Sequence, residues 1–179
     1  MVTEEIMPSR KSRLTSAALA LGAVLMLPPA AQAATTVTFV APQNYRDGNL
    51  AWGPVDQRLT LEGLERIIRS LAARRLPPGY EIDVAVLDLD LAGKIDPLRA
   101  RSGELRVMRQ DTWPSMTLRY SLRRSGRVVA RGEETLRAMN YLTDPVAVRS
   151  TDALRFEKAM LDSWFRTRFA ALEAKRSGS

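Results

Sequence analysis

Hydrophobic and polar residues alternate along five stretches of the chain, the pattern of strands that bury one face. Two other stretches, 55–75 and a segment that opens near residues 150–152, carry apolar residues at helical spacing and predict amphipathic helices. The five predicted strands are 36–41, 81–91, 104–110, 116–123 and 127–136. Hairpin-linked strands flanked by helices indicate an α+β fold, a two-layer sandwich with a mainly antiparallel sheet in the order β-α-β-β-β-β-α.

The stretch 81–91 is apolar on both faces at its middle, which predicts a central position in the sheet. Strict alternation divides its residues into two faces. One face carries Ile82, Val84, Val86, Asp88 and Asp90, and the other carries Ala85, Leu87, Leu89 and Leu91. Downstream, Ser125-Gly126 predicts a hairpin turn, and residues 139–151 predict a loop that leads into the cap of the last helix.

The first 33 residues have the pattern of a secretory signal peptide. Three basic residues precede an apolar run over 14–27, which is shorter than the ~20 residues of a membrane-spanning helix. Ala31-Gln32-Ala33 then forms a small-x-small cleavage pattern. We therefore predict cleavage after Ala33 and a single mature domain over 34–179, with its core at about 37–172.

The chain contains neither cysteine nor histidine. This composition excludes thiol nucleophiles, disulfides, imidazole-based triads and zinc sites built on Cys or His, and neither a metal nor a cofactor is predicted. Because no cysteine can carry a lipid, we expect a periplasmic protein that is not a lipoprotein and is not transmembrane once the signal is removed. The chain has 27 Lys and Arg against 20 Asp and Glu, a net charge of +7. This charge favours anionic partners, but export argues against nucleic acid.

Asp88 and Asp90 are the first candidates for chemistry. Two carboxylates at positions i and i+2 of a strand project from one face, roughly 6–7 Å apart. That spacing suits a hard divalent cation or general acid–base catalysis. The alternative, which we favour, is structural: the two carboxylates are solvated or paired with Arg106 or Arg119.

Glu134 is the second candidate, because it falls on the apolar face of the strand 127–136. A buried carboxylate is costly unless it is paired, and burial raises its pKa, as in many active sites. The favoured alternative is again structural, with a buried arginine or the backbone amides of 139–142 as its partner.

A third feature is a set of arginines at outward positions of successive predicted strands. The planar guanidinium group suits phosphate and carboxylate ligands, so this face could bind an anionic lipid or glycan. Its members are Arg106, Arg119, Arg123, Arg127 and Arg131. The favoured alternative is a solvated face with cross-strand charge pairs. Trp113, Tyr120, Trp164 and Phe165 are expected in the core, while Trp52 lies in a Gly/Pro-rich loop suited to ligand contact.

Six short motifs occur in order along the mature region. They are L-P-P-G at 76–79, L-D-L-D-L-A-G at 87–93, W-P at 113–114, M-N-Y-L at 139–142, L-R-F-E-K at 154–158 and W-F at 164–165. Together they resemble the bacterial family called domain of unknown function 3016, over about 37–169. The resemblance implies an exported protein of Gram-negative bacteria. It carries over no catalytic residues.

These observations support three hypotheses. The leading one is a non-enzymatic periplasmic domain that binds an envelope protein or an anionic lipid or glycan. The second is a carboxylate-dependent hydrolase of a glycan or phosphoester, with Asp88, Asp90 and Glu134 converging in one cleft. The third is an assembly role through an uncovered edge of the sheet.

Overall fold

The computed structural model describes residues 34–47, 54–95 and 106–172. Its elements in chain order are β1 (Ala34–Phe39), α1 (Pro54–Arg75), β2 (Tyr80–Asp90), β3 (Lys94–Ile95), β4 (Arg106–Val107), β5 (Ser115–Arg124), β6 (Arg127–Arg137), α2 (Pro145–Arg149) and α3 (Arg155–Arg168). Single 3-10 turns lie at Pro42–Asn44 and Tyr141–Thr143. The predicted signal peptide and Trp52 lie outside the described residues, and the signal peptide stays a prediction. None of the helices in these ranges is both long and apolar enough to cross a membrane.

Four strands form the main sheet in the order β1-β2-β5-β6. The β2–β5 and β5–β6 pairs are antiparallel, and β1 lies parallel to β2. Two parallel neighbours need a crossover connection, and α1 lies on that connection. The α+β class with a mainly antiparallel sheet is therefore confirmed, as is the central position of β2.

The core lies between one face of this sheet and the two long helices. Its fully buried members include Leu64, Ile68 and Leu71 of α1, Ile82 and Leu89 of β2, Leu118 and Leu122 of β5, and Leu161 and Phe165 of α3. The leucine and isoleucine positions of α1 recur every three or four residues, which places them on one side of that helix. Burying each such side chain contributes roughly 1.5–3 kcal/mol, so this helical layer is the main stabilising contact of the sheet.

Three of the four aromatic residues expected in the core are buried. Tyr120, Trp164 and Phe165 are each at most 5% exposed. The Tyr120 and Trp164 rings meet edge-on with centroids 5.5 Å apart, the geometry that aromatic pairs prefer. Trp113 is only partly buried and packs against a second, smaller cluster around Tyr141 and Phe156.

A β-bulge in β2 changes the predicted assignment of faces. The pairing with β5 runs from Val86 opposite Leu118 directly to Asp88 opposite Thr117, which leaves Leu87 as the extra residue. One extra residue inverts the alternation beyond it. Leu89 therefore joins Val86 on the helix-covered face, while Asp88 and Asp90 lie on the opposite face. The prediction that the two aspartates share a face with Ile82, Val84 and Val86 is wrong.

The stretch 104–110 is not a strand of the main sheet. Within the described residues it contributes only β4, which pairs antiparallel with β3 in a separate two-stranded ribbon. The ribbon requires a close backbone approach at Gly93, which has φ +77°, because a Cβ atom there would lie 2.8 Å from the Val107 carbonyl oxygen. The alternation over 104–110 predicted a strand of the main sheet. The described part of this stretch pairs with β3 instead.

The predicted loop over 139–151 contains the short helix α2. Asp144, the residue before it, accepts hydrogen bonds from the backbone N–H groups of Val146 (3.0 Å) and Ala147 (2.8 Å), and Pro145 occupies the first helical turn. An Asp-Pro pair is therefore a helix start here rather than a turn. The last helix, α3, begins at Arg155, later than predicted and with no side-chain cap.

Candidate functional site

The structure does not bring the three candidate carboxylates together. Asp88 and Asp90 lie on the face of the sheet away from the helices, which we call the open face, whereas Glu134 is opposite Leu118 on the helix-covered face. Asp88 accepts a hydrogen bond from the backbone N–H of Arg46 (2.9 Å) and pairs with the guanidinium of Arg46. Asp90 pairs with Lys94. The expected partners of the aspartates, Arg106 and Arg119, were thus wrong.

Glu134 is held by α3 and not by the loop 139–142. The indole Nε1 of Trp164 donates to Glu134 Oε2 at 3.0 Å, and Arg168 Nε lies 2.9 Å from Glu134 Oε1. Both carboxylate oxygens therefore have partners. No group of three or more acidic side chains that could hold a metal ion occurs in the part of the chain that the structure describes.

Two of the five candidate arginines are neutralised across the strands of the open face. Arg119 Nη2 lies 2.9 Å from Glu133 Oε2 on β6, and Arg123 Nη2 lies 2.7 Å from Asp83 Oδ2 on β2. Arg131 is also on this face, opposite Ser121, and makes neither an ion pair nor a hydrogen bond with other described residues. Cross-strand pairing leaves this face with much less excess charge than the sequence suggested.

The other two arginines are not on the open face. Arg106 is only 11% exposed, and its Nη1 donates to the carbonyl oxygen of Gly93 (2.7 Å) and to Asp47 Oδ2 (3.1 Å). It ties the ribbon to the end of β2. Arg127 lies opposite Arg124, whose guanidinium stands over the ring of Tyr80. A register shift after Leu122 changes the alternation at the tip of the hairpin, so Arg127 does not lie on the open face.

A cavity lies where α1, the start of α3 and the end of β2 meet. We call it the α1–α3 pocket. It has a volume of about 510 Å³, and its walls are mostly apolar. Along α1 its lining runs from Leu59 to Arg74, about 22 Å at the rise of a helix, so the pocket is elongated. The opposite wall includes Leu91, Met108 and Leu154.

A buried carboxyl group lines this apolar pocket. Glu157, in the first turn of α3, is 2% exposed, and its Oε1 accepts a hydrogen bond from the backbone N–H of Ala92 at 2.8 Å. Its Oε2 is buried and has no hydrogen-bond partner among the residues that the structure describes. Burial raises the pKa of Glu157, and the Ala92 N–H and the charges of Arg106 and Arg155 only partly oppose this shift.

Glu157 was not among the candidate residues predicted from the sequence, although its spacing along the last helix indicated a buried position. Residues 157, 161 and 164 follow helical spacing, so Glu157 shares the apolar stripe of α3 with Leu161 and Trp164. A carboxylate on such a stripe is buried when the helix packs. This position, rather than the strand aspartates, is where the structure places an incompletely satisfied acid.

Stability is expected to fall as the pH rises through the raised pKa of Glu157. The folded protein holds this proton more tightly than the unfolded chain, whose pKa is near the ordinary value of 4.5. The free energy of unfolding therefore decreases from about pH 4.5 upward until the folded carboxyl is ionised. Urea unfolding of the wild type and Glu157→Gln over this range measures the effect, and the variant should lack the decrease.

The matched control for this pH profile is Glu134→Gln, which changes a carboxylate whose two oxygens both have partners. It should retain the wild-type decrease. Parallel profiles for the wild type and Glu157→Gln would contradict the assignment of the titrating group.

Comparison with known proteins identifies the family. The sequence profile of "Protein of unknown function (DUF3016)" matches residues 33–167. The chain belongs to this family. The match confirms the resemblance drawn from the six motifs. No curated protein matches this member of the DUF3016 family.

Among solved structures, this DUF3016 chain is similar to the crystal structure of a "putative lipoprotein" from Caulobacter crescentus CB15. The two chains are 14% identical, and the alignment covers 80% of this chain and 90% of that chain with a TM-score of 0.35. The neighbour's description conflicts with the prediction of a periplasmic protein that is not a lipoprotein. That prediction is wrong as stated, and we withdraw it. At this TM-score the likeness supports no argument about function.

Proposed function

We propose that the protein is a binding domain that holds a small, elongated and mostly apolar molecule in the α1–α3 pocket. The observation that carries the proposal is Glu157 Oε2, a buried oxygen that no other described residue hydrogen-bonds, at a pocket with mostly apolar walls. Leaving such a group unsatisfied costs about 1–3 kcal/mol, and a bound molecule with one polar group would offset that cost.

The dimensions of the pocket support this proposal. A volume of about 510 Å³ lies within the range of about 300–1,000 Å³ of small-molecule sites. Apolar walls with few polar groups are also typical of such sites, since the walls supply affinity and the polar groups fix orientation. Here Leu59, Ile67 and Leu154 contribute apolar wall, and Glu157 contributes the polar group.

The hydrolase hypothesis required Asp88, Asp90 and Glu134 in one cleft. Asp88 and Asp90 lie on the open face and Glu134 lies on the helix-covered face, and each carboxylate forms an ion pair with a basic side chain. Binding through the arginines of the open face is less well supported than binding in the pocket, because Arg119 and Arg123 already have carboxylate partners.

The test uses N-phenyl-1-naphthylamine, an uncharged fluorescent probe with an apolar body and one N–H donor. The wild type should bind it with increased fluorescence, because its aromatic rings can occupy the space between the apolar walls of the pocket. Thr60 lines the pocket, and Thr60→Phe should weaken binding at least about tenfold by filling it.

The matched control is Thr38→Phe, at an exposed position of β1 outside the pocket, which should bind like the wild type. Ser70→Phe provides a second filling variant, and circular dichroism checks that each variant is folded. The absence of probe binding to the wild type, or equal affinities of the Thr60 and Thr38 variants, would overturn the proposal.

A further inference from the structure

A second hollow, lined by several basic side chains, adjoins the α1–α3 pocket. This hollow, of about 320 Å³, lies between the end of α1, α2 and α3. Arg74 and Lys158 line both spaces, so the apolar pocket and the second hollow meet at these two side chains. We call the second space the basic hollow. Its cationic residues are Arg74, Arg75, Arg155, Lys158 and Arg166.

The two carboxylates that line the basic hollow already accept hydrogen bonds from other groups of the protein. Asp144 accepts hydrogen bonds from two backbone N–H groups at the start of α2. Asp162 accepts two hydrogen bonds from Arg75 Nη2, at 2.7 and 2.9 Å, one to each of its oxygens. The acidic groups of the hollow therefore do not neutralise its other cations.

Several cations around the junction are available to a ligand. Arg166 makes neither an ion pair nor a hydrogen bond with other described residues, and the same holds for Arg66 on the pocket side. Lys158 pairs with Asp152 at 3.1 Å, but both side chains are about half exposed, and exposed pairs of this kind contribute little. A ligand anion can replace such a partner at low cost.

Basic residues near the end of a helix are also favoured by the helix dipole, which explains Arg74 and Arg75 of α1 and Arg166 of α3 without a ligand. The dipole does not explain Lys158, which lies in the first turns of α3, where the dipole disfavours a positive charge. Nor does it explain why an apolar pocket opens beside these cations.

Resting on the proposed function, we infer that the ligand is an amphipathic anion. Its apolar body occupies the α1–α3 pocket, and its carboxylate, sulfonate or phosphate group lies in the basic hollow, which Lys158 and Arg166 both line. Guanidinium and ammonium groups form strong, charge-assisted hydrogen bonds with all three kinds of anion.

Two probes with the same carbon skeleton test this inference. 1-Anilinonaphthalene-8-sulfonate differs from N-phenyl-1-naphthylamine only by a sulfonate group. The wild type should bind the sulfonate more tightly than the uncharged probe. In the double variant Lys158→Gln/Arg166→Gln, the ratio of sulfonate affinity to uncharged-probe affinity should fall about fivefold or more, the loss expected for partly exposed charge partners.

The charge control is Arg58→Gln, an exposed residue of α1 that pairs with Glu62 and lines neither space. It should leave both affinities unchanged. Displacement of the sulfonate probe by dodecanoate and by dodecyl phosphate then distinguishes a carboxylate from a phosphate headgroup. Displacement by at least one of them is expected, and displacement by neither contradicts the inference.

The outcomes separate the two proposals. If the uncharged probe does not bind the wild type, the proposed function fails. If the uncharged probe binds and is blocked by Thr60→Phe, but the double variant binds the sulfonate like the wild type, only the amphipathic-anion inference is overturned. An equal loss of sulfonate affinity in Arg58→Gln would overturn it as well, because the effect would then reflect net charge alone.

Discussion

Replacing Arg106 with Met is expected to lower the free energy of unfolding by about 3–5 kcal/mol. The guanidinium is nearly buried and donates to Asp47 and to carbonyl oxygens at the end of β2, including that of Gly93 at 2.7 Å. Met preserves much of the apolar contact of the side chain but removes the guanidinium from these carbonyl oxygens and from Asp47, which keeps the backbone N–H of Leu91 and the more distant Lys94. Urea unfolding at neutral pH, followed by tryptophan fluorescence, measures the difference.

Arg119→Met is the matched control for Arg106→Met. Arg119 also pairs with a carboxylate, Glu133 at 2.9 Å, but both side chains are more than half exposed. The expected loss is below about 1 kcal/mol. Similar losses for the two variants would show that Arg106 does not have the structural role that its burial and its acceptors indicate.

Phe165→Ala is expected to destabilise the protein by about 3–5 kcal/mol, since it removes a fully buried ring from the contact between α3 and the rest of the core. The ring packs against Trp164 and Phe169, with centroids 4.7 and 5.8 Å away, so the cavity has large neighbours that cannot easily collapse into it. Thermal and urea unfolding both report the loss.

Val146→Ala is the corresponding control, because Val146 is 76% exposed on α2 and its truncation should change stability by less than about 0.5 kcal/mol. If Phe165→Ala does not fold, Phe165→Leu still tests the point with an intermediate loss. A change below about 1 kcal/mol in Phe165→Ala would contradict the packing described for α3.

Local periodicity was enough to predict most of the fold. The alternation along β5 and along β6 from Ala130 onward, the apolar stripe of α1 and the Ser125-Gly126 turn each depend on neighbours in sequence, and all are present in the structure. The bulge at Leu87 could not be predicted this way, because a bulge depends on how a strand matches its partner across the sheet. That single extra residue moved Asp88 and Asp90 to the open face.

The candidate site depends on contacts between residues far apart in the sequence. Arg106 reaches Asp47, and Glu157 reaches the backbone of Ala92, which is 65 positions away. Charge and hydropathy along the chain predict that Arg106 is an exposed basic residue. They do not show that its guanidinium donates to several backbone carbonyl oxygens. Glu157 is different, since its place on the apolar stripe of α3 could be recognised from helical spacing alone.

Glu134 has a further consequence for the behaviour of the protein in solution. Its strand, β6, is at one end of the sheet order, so one side of β6 has no neighbouring strand among the described residues. Such an edge is a template for aggregation unless charged residues discourage another strand from adding to it. The carboxylate that points inward from β6, together with Arg127, Arg131 and Arg137 along the same strand, makes it a poor template. A residue first considered for catalysis thus adds to the charge along β6 that disfavours the pairing of a further strand with this edge.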